Sequence, residues 1–156
     1  MEKLNLPSFL ANIRNKNDKA EIFDEFRKKF VKLTPEEWVR QHFAHYMANQ
    51  KFYPKGLLAI EYSFKLQTRI KRIDILAFTP NGHPLVVVEC KSADVSINQK
   101  VFDQIARYNM AFKVQYLVVT NGLEHYTCKL DYTSLSYQFI EELPSFLDLI
   151  KENTPQ

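Results

Sequence analysis

Only 3 glycines and 2 cysteines occur in 156 residues, which excludes glycine-rich repeats and a disulfide-stapled scaffold. Cys90 and Cys128 lie 38 positions apart, with no CxxC partner and no histidine at metal spacing. They read as core thiols and not as a zinc site. His42, His45, His83 and His125 have no mutual spacing that builds a ligand set, so they read as packing or surface residues. No run approaches the roughly 18 apolar residues of a membrane span, and residues 1–17 lack an apolar signal core followed by small residues. A soluble, cytoplasmic protein that takes no membrane partner is expected. No Gly-x-x-x-x-Gly-Lys-Ser/Thr loop occurs, so neither ATP nor a nucleotide-driven motor is expected. A large charge excess is also missing: 21 Lys and Arg stand against 18 Asp and Glu. Residues 34–156 carry 13 of each sign, so the whole excess of +3 falls in residues 1–33.

What is present is the balance of a globular protein, with 46% hydrophobic, 25% charged and 13% aromatic residues. A chain of this length buries a single core. Over residues 18–31, Ile22, Phe23, Phe26 and Phe30 recur at one-, three- and four-residue spacings, with acids early and bases late. That pattern predicts an amphipathic helix. Thr34-Pro35-Glu36-Glu37 supplies an N-cap threonine, proline at the first helical position and glutamate at the third. It opens a helix expected over 35–49 that buries Trp38, Phe43, Tyr46 and Met47. The period then changes, and 57–66, 73–78 and 85–91 read as strands. Residues 98–112 return to helical spacing through Val101, Ile105, Tyr108 and Phe112, and the apolar run 114–120 reads as a strand buried on both faces. Residues 124–131 and 137–140 are expected as edge strands, and 144–152 as a short helix. The fold class is α/β, a mixed central β-sheet flanked by helices.

Asn81-Gly82 is a strong hairpin signal. A two-residue loop there pairs positions whose numbers sum to 163, which sets Asp74 opposite Glu89. Opposed like charges destabilise a sheet unless something offsets them. Glu89 and Lys91 close a strand that begins Leu85-Val86-Val87-Val88, with Cys90 turned to the core. A divalent-metal site is one account: Asp74 and Glu89 hold Mg²⁺, for which Mn²⁺ substitutes, while Lys91 serves the attacking water. The other is a cross-strand salt bridge of Lys91 with two carboxylates. Lys65, Gln67, Thr68, Arg69, Lys71 and Arg72 surround an expected loop into the aspartate strand. They suit phosphate contacts or a solvated surface.

These residues carry a resemblance. Arg72-Ile73-Asp74-Ile75 followed by Val87-Val88-Glu89-Cys90-Lys91-Ser92 is similar to the Asp…Glu-x-Lys core of the PD-(D/E)xK nuclease superfamily, with Ile73 where the superfamily name has proline. The stretch from Leu33-Thr34-Pro35-Glu36-Glu37-Trp38-Val39-Arg40 to Asn121-Gly122 resembles the N-terminal nuclease domain of type I restriction enzyme R subunits, in a small stand-alone form. The likeness covers roughly residues 30–131.

The resemblance implies a restriction-endonuclease-like αβββαβ core and a metal-dependent nuclease acting on DNA. The catalytic set it implies is Asp74, Glu89 and Lys91, with the Cys90 carbonyl as a further metal ligand. It implies a supporting acid at Glu37, with Glu36 as the rival, and a Gln-x-x-x-Tyr element at Gln104 and Tyr108. Tyr108 also falls in the apolar stripe, where it reads as a core residue. Lys65, Arg69, Lys71 and Arg72 are the expected nucleic-acid contacts. The chain divides into a helical extension (1–33), the nuclease-like domain (34–143), and a short helix with a frayed tail (144–156). A homodimer or a larger defence or repair complex fits this class. A non-catalytic nucleic-acid-binding or assembly module that keeps the fold is the alternative.

Overall fold

Thr34 caps the first helix through its hydroxyl, which accepts from the Glu37 N–H at 3.0 Å, and α1 runs Pro35–Gln50. The computed structural model describes residues 1–110 and 112–153, the Leu66 side chain excepted. Phe43 and Met47 are buried as expected, whereas Trp38 and Tyr46 pack half-buried against the same core.

The helix expected over 18–31 does not form. The segment folds as β1 (Ile13–Lys16), β2 (Lys19–Asp24) and β3 (Lys29–Lys32), an antiparallel three-stranded sheet. Two turns decide this. Asn17 and Asp18 both adopt positive φ between Lys16 and its partner Lys19, the backbone of a two-residue hairpin that these residue types tolerate. The Asp24 carboxylate then accepts from the backbone N–H groups of Phe26 and Arg27, and Lys28 takes φ 59°. The apolar spacing that suggests a helix is split by these turns: Ile22 is fully buried, and Phe23 and Phe30 pair across strands.

The second sheet is β4 (Leu58–Leu66), β5 (Arg69–Phe78), β6 (Pro84–Cys90), β7 (Tyr116–Thr120), β8 (His125–Asp131) and β9 (Ser136–Ile140), paired in that order. Only β6 and β7 are parallel, joined through α2 (Gln99–Met110), so α1, β4 to β6, α2 and β7 form the αβββαβ core. β8 lies inside the sheet and β9 at its edge, where both were expected as edge strands. The β5–β6 loop is longer than a two-residue turn. Thr79 N–H donates to the His83 carbonyl at 2.8 Å, and Gly82 alone takes positive φ. A bulge between Ala77 and Phe78 shifts the register back, so Ile75 pairs with Val88 and the sum of 163 holds.

Two cores cover the sheet. Val39, Phe43 and Met47 of α1, with Phe146 and Leu149 of α3 (Phe146–Glu152), pack on Ile75, Val86, Val88 and Val118. Phe102 and Ala106 of α2 pack on Ile73, Val87, Leu117 and Val119 from the other side. Burial on both faces explains the unbroken apolar runs of β6 and β7. The α2 stripe is one position away from the expected one: Phe102, Ala106 and Asn109 are buried, while Tyr108 is exposed. No helix among the described residues is long and apolar enough to cross a membrane. Asn153 caps α3, and the fraying expected at Thr154, Pro155 and Gln156 lies outside the described residues.

Candidate active site

Asp74 sits where β5 loses its pairing on both sides. Ile60 pairs with Ile75 and Tyr62 with Ile73, which leaves Glu61 across from Asp74 without a ladder pair, and Glu61 takes φ 52°. That backbone conformation costs a non-glycine residue energy and collects at functional sites. On the β6 side, Asp74 Oδ2 accepts from the Cys90 N–H at 2.7 Å. The aspartate is thereby fixed in the middle of β5, against the end of β6.

Glu89 comes to Asp74 from β6, as the register arithmetic predicts. The Glu89 carboxyl is pushed up, first by burial and then by the charge of Asp74 beside it. Lys71 and Asn109 oppose the shift from the α2 face. Lys71 is buried, with Nζ donating to Asn109 Oδ1 at 2.9 Å and to the Tyr108 carbonyl at 3.3 Å, and lying 3.9 Å from the Tyr108 ring centroid. Burial lowers its pKa to about 8. Lys71 is therefore no surface phosphate contact: β5 begins at Arg69, and strand alternation turns residue 71 inward. Lys65, Arg69 and Arg72 are exposed as expected.

On the α1 side stands an arginine cluster that sequence reasoning missed. Arg40 donates to Asp74 Oδ1 from Nη2 at 2.9 Å and Nε at 3.3 Å, and also pairs with Glu36 and Glu37. Arg27 pairs with Asp24, with Glu37 at 2.6 Å and with Glu61 at 3.0 Å. Neighbouring carboxylates hold both guanidiniums firmly charged against the cost of burial. The spacing of Arg40 from Glu36 and Glu37 offers a signal for those pairs. Nothing local links Arg40 to Asp74, and Arg27 lies in the segment expected to be helical.

Glu37 is buried and its carboxylate is taken up by Arg27, Arg40 and Gln41, so it does not return to the Thr34 N–H as a capping box requires. Glu36 is half exposed and stands among Arg40, Asp74 and Lys91; burial and Asp74 raise its pKa, and Arg40 and Lys91 draw it down. Lys91 is half-buried, its N–H donating to the Thr120 carbonyl at 2.8 Å. The Cys90 thiol is buried in the core. Gln104 and Tyr108 are exposed on α2, and Tyr108 reaches the carboxylates only through Lys71. His42 and His45 pack against Phe9, His125 bridges Thr120 and the Asn5 carbonyl, and His83 is exposed.

A cleft of about 590 Å³ opens over this cluster, lined by Lys29, Lys32, Glu36, Arg40, Glu61 and Ser92 among others. A cleft of about 660 Å³ at the β5–β6 loop contains none of the candidate residues.

A family model described as the type I restriction enzyme R protein N terminus matches residues 35–144. The chain belongs to this restriction R-protein N-terminal family. No curated protein matches it. Among solved structures, a fragment of a putative HsdR subunit of a type I restriction enzyme from Vibrio vulnificus YJ016 is similar in fold. It has 22% identity and a TM-score of 0.54, and the match covers 76% of this chain. The matched region is 25% of that longer chain, so this protein corresponds to about a quarter of its relative. The family match takes in α1, Asp74, Glu89, Lys91 and α2, and leaves β1 to β3 outside.

Proposed function

We propose that this chain is a metal-dependent nuclease that hydrolyses phosphodiester bonds in DNA, with Asp74 and Glu89 as its metal-holding pair. The observation that carries this reading is the approach of Glu89 near the end of β6 to Asp74 in the middle of β5, two carboxyl groups whose like charges raise the Glu89 pKa. Such a pair favours a divalent cation, whose charge relieves the repulsion and displaces the proton. The donor set fits Mg²⁺: both side chains offer hard oxygens. Among the described residues no third His, Cys, Asp or Glu side chain closes a cage, and Mg²⁺ characteristically keeps several waters. The Cys90 carbonyl is a further candidate ligand.

A bound cation lowers the pKa of its water and stabilises charge on the phosphate. The chain's own residues do the rest. Arg40 on α1 holds one oxygen of Asp74, and Cys90 N–H fixes the other. Lys91, at the end of β6, orients the attacking water and stabilises charge developing on the phosphate. Glu36 sets the field around Lys91, and Glu37 locks the two arginines in place. Arg69 and Arg72 contact the DNA backbone. A restriction complex acting on DNA is the setting that the family suggests.

A second reading rests on Arg40, which already supplies Asp74 with an internal cation. In that case the chain is a non-catalytic nucleic-acid-binding or assembly module, and the carboxylates belong to a structural ion-pair network. Cleavage of single-stranded, duplex and branched DNA in Mg²⁺ or Mn²⁺ separates the two. Nuclease activity that disappears in Asp74→Asn, Glu89→Gln and Lys91→Ala supports the first reading. DNA binding without cleavage in the wild type supports the second.

A further inference from the structure

The N-terminal sheet has one face against the body of the protein and one face open. Cross-strand partners share a face, so the pairings Ile22–Val31 and Asp24–Lys29 mark the inner side, where Ile22 and Asp24 are fully buried. The other side carries the pairs Arg14–Glu21, Lys16–Lys19, Phe23–Phe30 and Glu21–Lys32. It presents four cations and one acid. The positive excess of the whole chain thus comes to a single small surface.

Two aromatic rings stand at the end of it away from the β1–β2 hairpin. Phe23 and Phe30 are half-buried, with centroids 5.3 Å apart at 65°. Arg14 lies across Phe30 with its Cζ 3.7 Å from the ring centroid, and its guanidinium is held by Glu21 at 2.8 Å. Along the face, Arg14 and Lys32 lie one row from the rings, level with Glu21, and Lys16 and Lys19 lie two rows away at the β1–β2 hairpin end. The Phe pair stabilises the sheet by itself, but sheet pairing does not require a run of cations along the same face leading up to it.

We propose that this outer face binds single-stranded nucleic acid, with bases stacking on Phe23 and on the Arg14–Phe30 pair and phosphates held by Lys16, Lys19 and Lys32. Rings that accept any base and cations that track a backbone are the two components of such surfaces. A duplex hides its base faces, so the rings select for a single strand. Lys32 also lines the cleft that Arg40 and Glu61 border, so a strand on this face runs toward the arginine that holds Asp74. That directional role rests on the nuclease reading, whereas the binding itself does not.

The test is fluorescence anisotropy of the full chain with labelled oligothymidylate in EDTA, against a duplex of the same length, in an Asp74→Asn background so that cleavage plays no part. The proposal expects the single strand to bind more tightly than the duplex. Phe23→Thr and Phe30→Thr should each weaken single-strand binding by roughly tenfold, with Phe→Tyr at either position restoring it. Lys16→Gln with Lys19→Gln, at an exposed turn where folding is not at risk, should flatten the salt dependence by roughly 0.7 in log–log slope per lysine. Equal binding of both DNA forms, an affinity indifferent to the Phe changes in folded protein, or an unchanged salt slope in the lysine variant overturns it. Absence of cleavage by the wild-type protein in Mg²⁺ or Mn²⁺, with single-strand binding intact, leaves this face in place and removes only the nuclease reading.

Discussion

The guanidinium of Arg40 rests on Oδ1 of Asp74 at 2.9 Å, while the other oxygen of that carboxylate holds the end of β6. A buried arginine on α1 thus fixes the aspartate on which the proposed chemistry depends. Taking one partner from a buried ion pair leaves the other uncompensated.

Arg40→Gln is therefore expected to destabilise the protein by about 3–5 kcal/mol, because Asp74 and Glu37 lose a shared cation. Urea denaturation measures it, and a double-mutant cycle with Asp74→Asn isolates the pair. Mn²⁺ should raise the melting temperature of Arg40→Gln more than that of the wild type, since the cation then replaces a missing charge. A cost below about 1 kcal/mol, typical of an exposed pair, would contradict the role given to Arg40.

Lys71 and its neighbours on β5 should separate cleanly. Arg69→Gln and Arg72→Gln are each expected to flatten the salt dependence of duplex DNA binding by about 0.9 in log–log slope. Lys71→Gln should leave that slope unchanged and lower stability, since Nζ is committed to Asn109 and to the Tyr108 carbonyl. A salt slope altered by Lys71→Gln would return Lys71 to the DNA surface.

Burial lowers the pKa of His45 from its ordinary 6.5. The unfolded chain then binds more protons than the folded one as pH falls below that value, so this histidine's contribution to stability is complete above about 6.5 and lost on acidification. His45→Phe keeps the packing on Phe9 and Phe26 and cannot be protonated. Its stability relative to the wild type should be constant at neutral pH and rise progressively below about 6.5. Thermal melts of both proteins across that range check the sign, and a difference independent of pH refutes it.

The meeting of Asp74 and Glu89 was legible because strand alternation and a hairpin signal constrain which residues share a face. The route was less regular than the arithmetic: five residues separate β5 from β6, and the bulge at Ala77 and Phe78 restores the register. Arg40 was not legible in this role, since its bond to Asp74 joins residues 34 apart on different elements. Arg27 was hidden for another reason. The spacing of Ile22, Phe23, Phe26 and Phe30 suits a helix, and only the turn chemistry of Asn17, Asp18 and Asp24 breaks it into strands. Lys71 was misplaced because β5 starts four residues before the apolar run that announces it.

Calorimetric titration of Mn²⁺ into the wild-type protein and Asp74→Asn, without DNA, tests the central claim most directly. The account predicts saturable binding to the wild type that the substitution abolishes. No binding to the wild type, or equal binding to both proteins, contradicts it and leaves Asp74 and Glu89 as parts of an ion-pair network.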